Sequence, residues 1–132
     1  IFRTMESVGI KMCLLIDDCV DPYSFEVVKG SMGALFNIKF VNVTKEKFLK
    51  ITSENKINLL GSSSILGMDY DKFIWKFPFV LIMGNEKDGI SGSLKKNCKN
   101  FVKIPMKGRI QSLNLSNATS ILIHDIIRKN PN

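Results

Sequence analysis

The chain has 132 residues, 45% of them hydrophobic, which is enough for one compact domain with its own core and leaves little room for a second. Lys and Arg outnumber Asp and Glu by 19 to 12, a formal charge of +7, which favours a polyanionic partner without identifying it; on charge alone a basic, nonbinding surface fits as well. No apolar run reaches the eighteen or so residues of a membrane span, and no charged-then-apolar leader opens the chain, so no membrane partner is expected.

In chain order, residues 1–8 read as a helix stopped by Gly9, and 11–16 as a strand. Cys13 and Cys19, with Cys98 further on, are odd in number and lack CxxC or metal-ligand spacing. Neither a disulfide framework nor a metal site is expected, and a reducing, intracellular setting follows. The chain opens on Ile1-Phe2-Arg3-Thr4 and not on Met, so cytoplasm and organelle both stay open. Asp17 and Asp18 follow the strand as solvated loop acids, since no His or third carboxylate stands at ligand spacing. Residues 21–24, Asp-Pro-Tyr-Ser, form a turn. Ser24 then caps a helix over 25–31 with Glu26 in its first turn.

Residues 39–43 read as a strand and 44–55 as an amphipathic helix capped by Thr44, with Phe48, Leu49 and Ile51 toward the core and Lys45, Lys47 and Lys50 in solvent. A strand over 57–60, a small polar loop over 61–67 and a connector over 69–75 come next. Trp75 is expected partly buried against the sheet in preference to stacking on a base. Strands over 79–83 and 101–104 precede a last helix over 114–129, for which Ser112 and Asn114 are competent caps. Its residues Leu115, Ala118, Leu122 and Ile126 repeat at helical spacing, while Ile121, Ile123 and Ile127 widen the apolar face almost round the cylinder. Such a helix should be buried on most sides, with His124 in the core or at an interface. The alternation of strand and helix implies an α/β fold, a mostly parallel sheet flanked by helices.

The segment 79–116 holds the densest information. Both of its strands empty into loops whose Gly and small polar residues suit close ligand approach, so a binding site is expected at two adjacent strand ends. Gly84 and Gly89 have the spacing of a phosphate-cradling loop, but Ile90 stands where that loop needs Lys. Around Ser91 the second glycine of a nucleophile elbow is missing, and His124 is the only histidine, so a Ser-His hydrolase has poor support.

Three ordered blocks carry a more specific resemblance: Gly84-Asn85-Glu86 with Gly89-Ile90, Ile104-Pro105-Met106 with Gly108, and Ser112-Leu113-Asn114-Leu115-Ser116. They resemble the second and third signature motifs of SpoU-type (TrmH-like) RNA 2′-O-ribose methyltransferases, the ribose-methylating branch of the SPOUT class. Ile1-Phe2-Arg3-Thr4 with Gly9 is similar to the back half of the family's first motif, and residues 28–36 to a further family segment, with Gly30 in place of the usual Ala. By this resemblance residues 1–132 form a single SpoU-type domain whose first strand and opening residues of motif one lie upstream.

The resemblance implies a C-terminal part tucked through a loop as a deep trefoil knot, an exception to the rule that chains avoid knots. It implies S-adenosyl-L-methionine as cofactor, held chiefly by Gly84, Ile104 and Leu113 with Met83, Asn85, Gly89, Met106 and Ser112 beside them. RNA, either tRNA or rRNA, is the implied substrate, and a homodimer through the C-terminal helix the implied assembly. Arg3 becomes the residue that handles the departing hydroxyl proton or the charge it leaves, helped by an RNA phosphate and by Ser112, while Asn85, Glu86 and Asn114 hold the loops and orient the nucleotide. Lys87 departs from the family's small residue and adds positive charge beside a cationic cofactor; Asn117 departs from an apolar or small one. Lys95, Lys96, Lys99, Lys103, Lys107 and Arg109 surround the same region, suited to phosphate or simply to solvent. The alternatives are a noncatalytic knotted RNA-binding or assembly module, and an ordinary parallel-sheet domain for another nucleotide.

Overall fold

The computed structural model describes residues 1–131. The chain divides into two compact units, Ile1–Phe48 and Leu49–Asn132, with the boundary inside a helix.

In the first unit, α1 (Phe2–Ser7) ends at Val8, and Gly9 takes φ +79°, a left-handed angle that glycine adopts at little cost. β1 (Met12–Ile16) and β2 (Lys39–Val43) pair in parallel from Met12 opposite Lys39 to Ile16 opposite Val43. A parallel pair needs a crossover, which α2 (Phe25–Ser31) and a 3-10 turn at Ala34–Asn37 supply. Ser24 stands at the N-cap position of α2, but its side chain makes no cap hydrogen bond. Gly30 is helical and lowers that helix's stability by about 1 kcal/mol relative to alanine. Asp17 is not simply a solvated acid. It ends β1 at φ +54°, and its Oδ1 accepts the Lys45 backbone N–H at 2.9 Å, at the start of α3 (Lys45–Glu54). Thr44 Oγ1 accepts the Lys47 N–H at 3.3 Å, the expected cap.

On α3, Phe48 is buried and Leu49 half-buried, but Ile51 is 42% exposed and Thr52 takes its place. Residues 48 and 49 lie about 100° apart on a helix; the midline between them passes over position 52 and leaves 51 outside. The Thr52 hydroxyl is satisfied by the Leu49 carbonyl at 3.2 Å, so its burial strands no polar group.

The second unit holds β3 (Asn58–Ser62), β4 (Met68–Asp69), β5 (Phe79–Ile82) and β6 (Asn100–Lys103) in the order β4-β6-β3-β5, every neighbouring pair parallel. β3 runs past its expected end through Gly61 and Ser62. At Gly61 a Cβ would lie 2.4 Å from the Phe101 ring, so the glycine that suggested a loop is there because a neighbouring strand's side chain crosses it. β4 was not legible: two residues have no periodicity, and Met68 and Asp69 join the sheet only through Val102 and Lys103. A 3-10 turn at Tyr70–Lys72 follows it. α4 (Gly92–Asn97) connects β5 to β6, and α5 (Leu115–Lys129) closes the unit.

Leu60, Phe73, Trp75, Val102, Leu122 and Ile126 form the core of this unit, with Met83 and Ile104 packed against it. Trp75 is only 4% exposed, more deeply buried than expected, and unavailable for stacking on a base. Its Nε1–H donates to Asp125 Oδ2 at 2.9 Å. Asp125 also accepts from Arg128 at 2.6 Å and Lys129 at 2.9 Å, and the Lys129 ammonium donates to the carbonyls of Tyr70, Asp71 and Phe73. Burial alone would push the Asp125 carboxyl up, but the bonds from Lys129, Trp75 and Arg128 outweigh it and hold its pKa below the ordinary carboxylate value. α5 buries Thr119, Leu122, Ile123, Asp125 and Ile126. His124 is exposed, not in the core: it lies about 200° round the helix from Leu122. Ile127 is 38% exposed, so the apolar face is not wholly covered within the chain. No helix among the described residues is long and apolar enough to cross a membrane.

Candidate functional site

β3, β5 and β6 are adjacent and parallel, so their carboxyl ends lie at one edge of the sheet. The segments that leave them line a cleft of about 410 Å³. Crevices outside the carboxyl ends of parallel strands are a general ligand-binding position.

The turn after β5 is built by its own sequence. Asn85 and Gly89 exchange two backbone hydrogen bonds of 3.1 Å, and Asn85 Oδ1 accepts the N–H groups of Lys87 and Asp88. An Asn side chain that mimics a backbone turn, with Gly89 at φ +70°, closes the loop. A Cβ on Gly84 would sit 2.2 Å from the Gly89 carbonyl carbon and 2.4 Å from the Ile90 nitrogen, so only glycine fits. The cleft wall at this point is therefore bare backbone.

The third block enters through the start of α5. Asn114 is its N-cap, with Oδ1 accepting the Ser116 N–H at 2.9 Å. Its Nδ2 donates to Glu86 Oε1 at 2.9 Å, and the same oxygen accepts the Leu115 N–H at 3.2 Å. A carboxylate at a helix N-terminus meets unpaired N–H groups and the positive end of the dipole. Ser112, the other expected cap residue, lines the cleft.

Every residue expected to hold a cofactor lines this one cleft: Met83, Gly84, Asn85, Gly89, Ile104, Met106, Ser112 and Leu113. Glu86 joins them, and Asn114 reaches it through Glu86. Arg3 is an exposed residue of α1 in the first unit and is not among the lining residues.

Sequence reading missed Ser62, Ser63, Ser64 and Ile65, which also line the cleft. Ser63 N–H donates to the Val102 carbonyl at 3.0 Å, and its Oγ accepts from Ile65 and Leu66 at 3.1 and 2.9 Å. The serines were visible as a loop; that they follow the strand between β5 and β6 was not. Lys95, on α4, lines the cleft as well. Among the described residues no group of three His, Cys, Asp or Glu stands close enough to hold a metal ion.

The model of the SpoU rRNA Methylase family matches residues 1–124, across both units and all three blocks. The chain belongs to the SpoU rRNA methylase family. A relative from Bacillus subtilis (strain 168), named "Putative TrmH family tRNA/rRNA methyltransferase YacO", is 29% identical over 130 residues, covering 98% of this chain and 52% of its own length. Among solved SpoU-like structures, the AdoMet-bound rRNA methyltransferase from Sinorhizobium meliloti superposes with a TM-score of 0.90 at 30% identity, over 98% of this chain and 50% of that one. The SpoU methyltransferase AviRb from Streptomyces viridochromogenes, in complex with the cofactor AdoMet, gives 0.91 at 26% identity, over 98% and 54%. The chain thus spans about half the length of these SpoU relatives.

Proposed function

We propose that residues 1–132 act as one SpoU-type domain that transfers a methyl group from S-adenosyl-L-methionine to a ribose 2′-hydroxyl of tRNA or rRNA. One observation carries this reading: three separate sequence blocks of a SpoU family member, 83–89, 104–106 and 112–113, converge on a single cleft of about 410 Å³. That volume lies within the range of small-molecule sites, roughly 300–1,000 Å³. A wall of bare backbone at Gly84 with apolar Met83, Ile104 and Leu113 suits a ligand with a flat base and a short aliphatic arm.

Gly84, Ile104 and Leu113 hold the adenosine and methionine portions, flanked by Met83, Asn85, Gly89, Met106 and Ser112. Bound there, the cofactor supplies an electrophilic methyl on a sulfonium. The protein's task is harder on the acceptor side, because a neutral ribose hydroxyl is a poor nucleophile and a very weak acid. Arginine stays protonated across the accessible pH range, so Arg3 acts by stabilising the forming alkoxide and not by abstracting its proton. Ser112 supports the same hydroxyl, and Glu86 and Asn114 fix the two loops between which the nucleotide is oriented. The C-terminal segment is read as threaded into a trefoil knot, and α5, with Ile127 uncovered, as the contact of a homodimer.

The test is incubation with tritiated cofactor and total tRNA and rRNA, followed by mapping of the labelled nucleotide. Label at a ribose 2′-oxygen supports the proposal. Absence of label together with no calorimetric binding of the cofactor refutes it. The noncatalytic RNA-binding reading is favoured by Lys87, a cation on the cleft wall where the family has a small residue. Label transfer that is lost in Arg3→Ala counts against that reading.

A further inference from the structure

A transfer between two substrates needs two binding surfaces in one cleft, and the residues proposed to hold the cofactor account for one of them. Val102 belongs to the core, and Met83 and Ile104, both assigned to the cofactor, pack against that core. Phe101 stands one position from Val102 on β6, so its side chain leaves the opposite face of the sheet. It lines the cleft all the same, and it is the one aromatic residue to do so among the described residues. The cleft therefore reaches round the strand ends to both faces.

Two glycines make room for this ring and its backbone. Gly61 stands opposite Phe101 in the β3–β6 ladder, and a Cβ there would collide with the Cδ1–Cε1 edge of the ring. The next atom is Ile90 Cδ1 at 3.1 Å, so the other ring carbons stand further off, and Gly61 meets the ring at an edge and not at its centre. Gly67, at φ +99°, lies so close to the Phe101 carbonyl and Cβ that a side chain there would collide with both. A glycine inside a strand forgoes packing and marks a place where something has to come close. Phe73, Trp75, Phe77 and Phe79 contact one another in pairs, but among the described residues no aromatic ring lies against Phe101, which is half-buried.

We infer that Phe101 is a stacking platform for a base of the RNA acceptor, on the face of the sheet opposite to Met83 and Ile104. This rests on the methyltransferase reading above. Every nucleobase has a flat π face, so a ring supported along one edge and bare of other aromatic rings accepts purine and pyrimidine alike, and the larger purine more tightly. The grip is on the base and not on the backbone, so it is independent of the charge on the cleft wall. The cofactor's own adenine, assigned to Gly84, Ile104 and Leu113, does not use the ring.

The experiment is equilibrium binding of three short single-stranded probes of equal length to the intact chain: oligoadenylate, oligouridylate and an abasic ribose-phosphate chain. The protein is first saturated with S-adenosylhomocysteine, the demethylated product, so that no probe base can enter the cofactor's place. In the parent, oligoadenylate should bind about tenfold tighter than the abasic chain, with oligouridylate between them. Phe101→Leu should bring both base-bearing probes down to the abasic affinity, while Phe101→Tyr, which keeps a ring, should retain most of the difference. Product affinity and abasic binding should be the same in all three proteins, which a general loss of structure would not allow. Equal binding of the three probes to the parent overturns the inference whether or not Phe101→Leu folds, and so does a base preference that survives in Phe101→Leu. A fall in product affinity in Phe101→Leu with the base preference unchanged assigns the ring to the cofactor's adenine; it overturns the inference and leaves the methyltransferase reading intact. Failure of the product to bind the parent at all overturns both.

Discussion

Glu86 accepts the Asn114 side-chain amide at 2.9 Å across 28 residues of sequence, and this contact fastens the turn after β5 to the first turn of α5. Both elements line the cleft, through Glu86 on one side and Leu115 on the other. Asn114→Ala removes the helix cap and the amide together. It should lower stability by about 1 kcal/mol, read from urea denaturation, and weaken cofactor binding besides. Asn114→Asp keeps the cap acceptor but sets a second carboxylate beside Glu86. Stability should then stay nearer the parent while cofactor affinity falls as in the alanine variant; equal affinity in both proteins would disprove the fastening role.

Gly84→Ala tests the bare backbone wall. Its Cβ would meet the Gly89 carbonyl carbon at 2.2 Å, and these are main-chain atoms that cannot rotate away. The turn has to move, at a cost of about 1–3 kcal/mol in stability, with cofactor affinity reduced at least tenfold by calorimetry. A variant that melts and binds like the parent would show that the turn is free to give way.

Arg3→Ala should cut the rate of methyl transfer by about a hundredfold or more, the size of effect found when one preorganised donor to a developing oxyanion is removed. Calorimetric affinity for the cofactor should be unchanged, since the residues proposed to hold it all lie between 83 and 113. Arg3→Lys should recover part of the rate, because the charge remains although the planar fork is lost.

The Asp125 cluster gives a prediction in pH. Asp125 is 4% exposed, and Asp125→Asn replaces its charge among Trp75, Arg128 and Lys129, with an expected loss of about 3 kcal/mol at neutral pH. The folded-state pKa lies below the ordinary carboxylate value of about 3.9. The stabilisation is therefore complete above that value and is lost as pH falls through the lowered one. The gap in urea midpoint between parent and variant should be constant above about pH 5 and should narrow below about pH 4. A constant gap down to the acid limit of folding would exclude the charge as its source.

Local chemistry made two things legible: a binding site at two adjacent strand ends, and a cap at Asn114. Which residues would hold a cofactor there was expected only through the family resemblance, and those residues line one cleft. The strands β1, β2, β5 and β6 were placed within a residue or two by their apolar runs. What stayed hidden depends on partners distant in sequence. Gly61 looks like a loop glycine until the Phe101 ring is seen across it, and Met68–Asp69 is a strand only because β6 lies beside it. Ser62 to Ile65 joined the cleft for the same reason. On helices the errors were angular: Ile51 was placed by its residue type and His124 by its isoleucine neighbours, whereas Thr52 and Asp125 hold the buried positions because their polar atoms find partners.

The order β4-β6-β3-β5 has a consequence for biosynthesis. β3 sits in the middle of its sheet, yet one neighbour, β6, is made of residues 100–103. While the ribosome is still extending the chain, β3 and β5 can pair but the other edge of β3 stays open, and the Leu122 and Ile126 side chains that complete the core come later still. The nascent polypeptide thus carries a sticky flank until β6 and most of α5 have left the ribosome, and only then can this unit become self-sufficient.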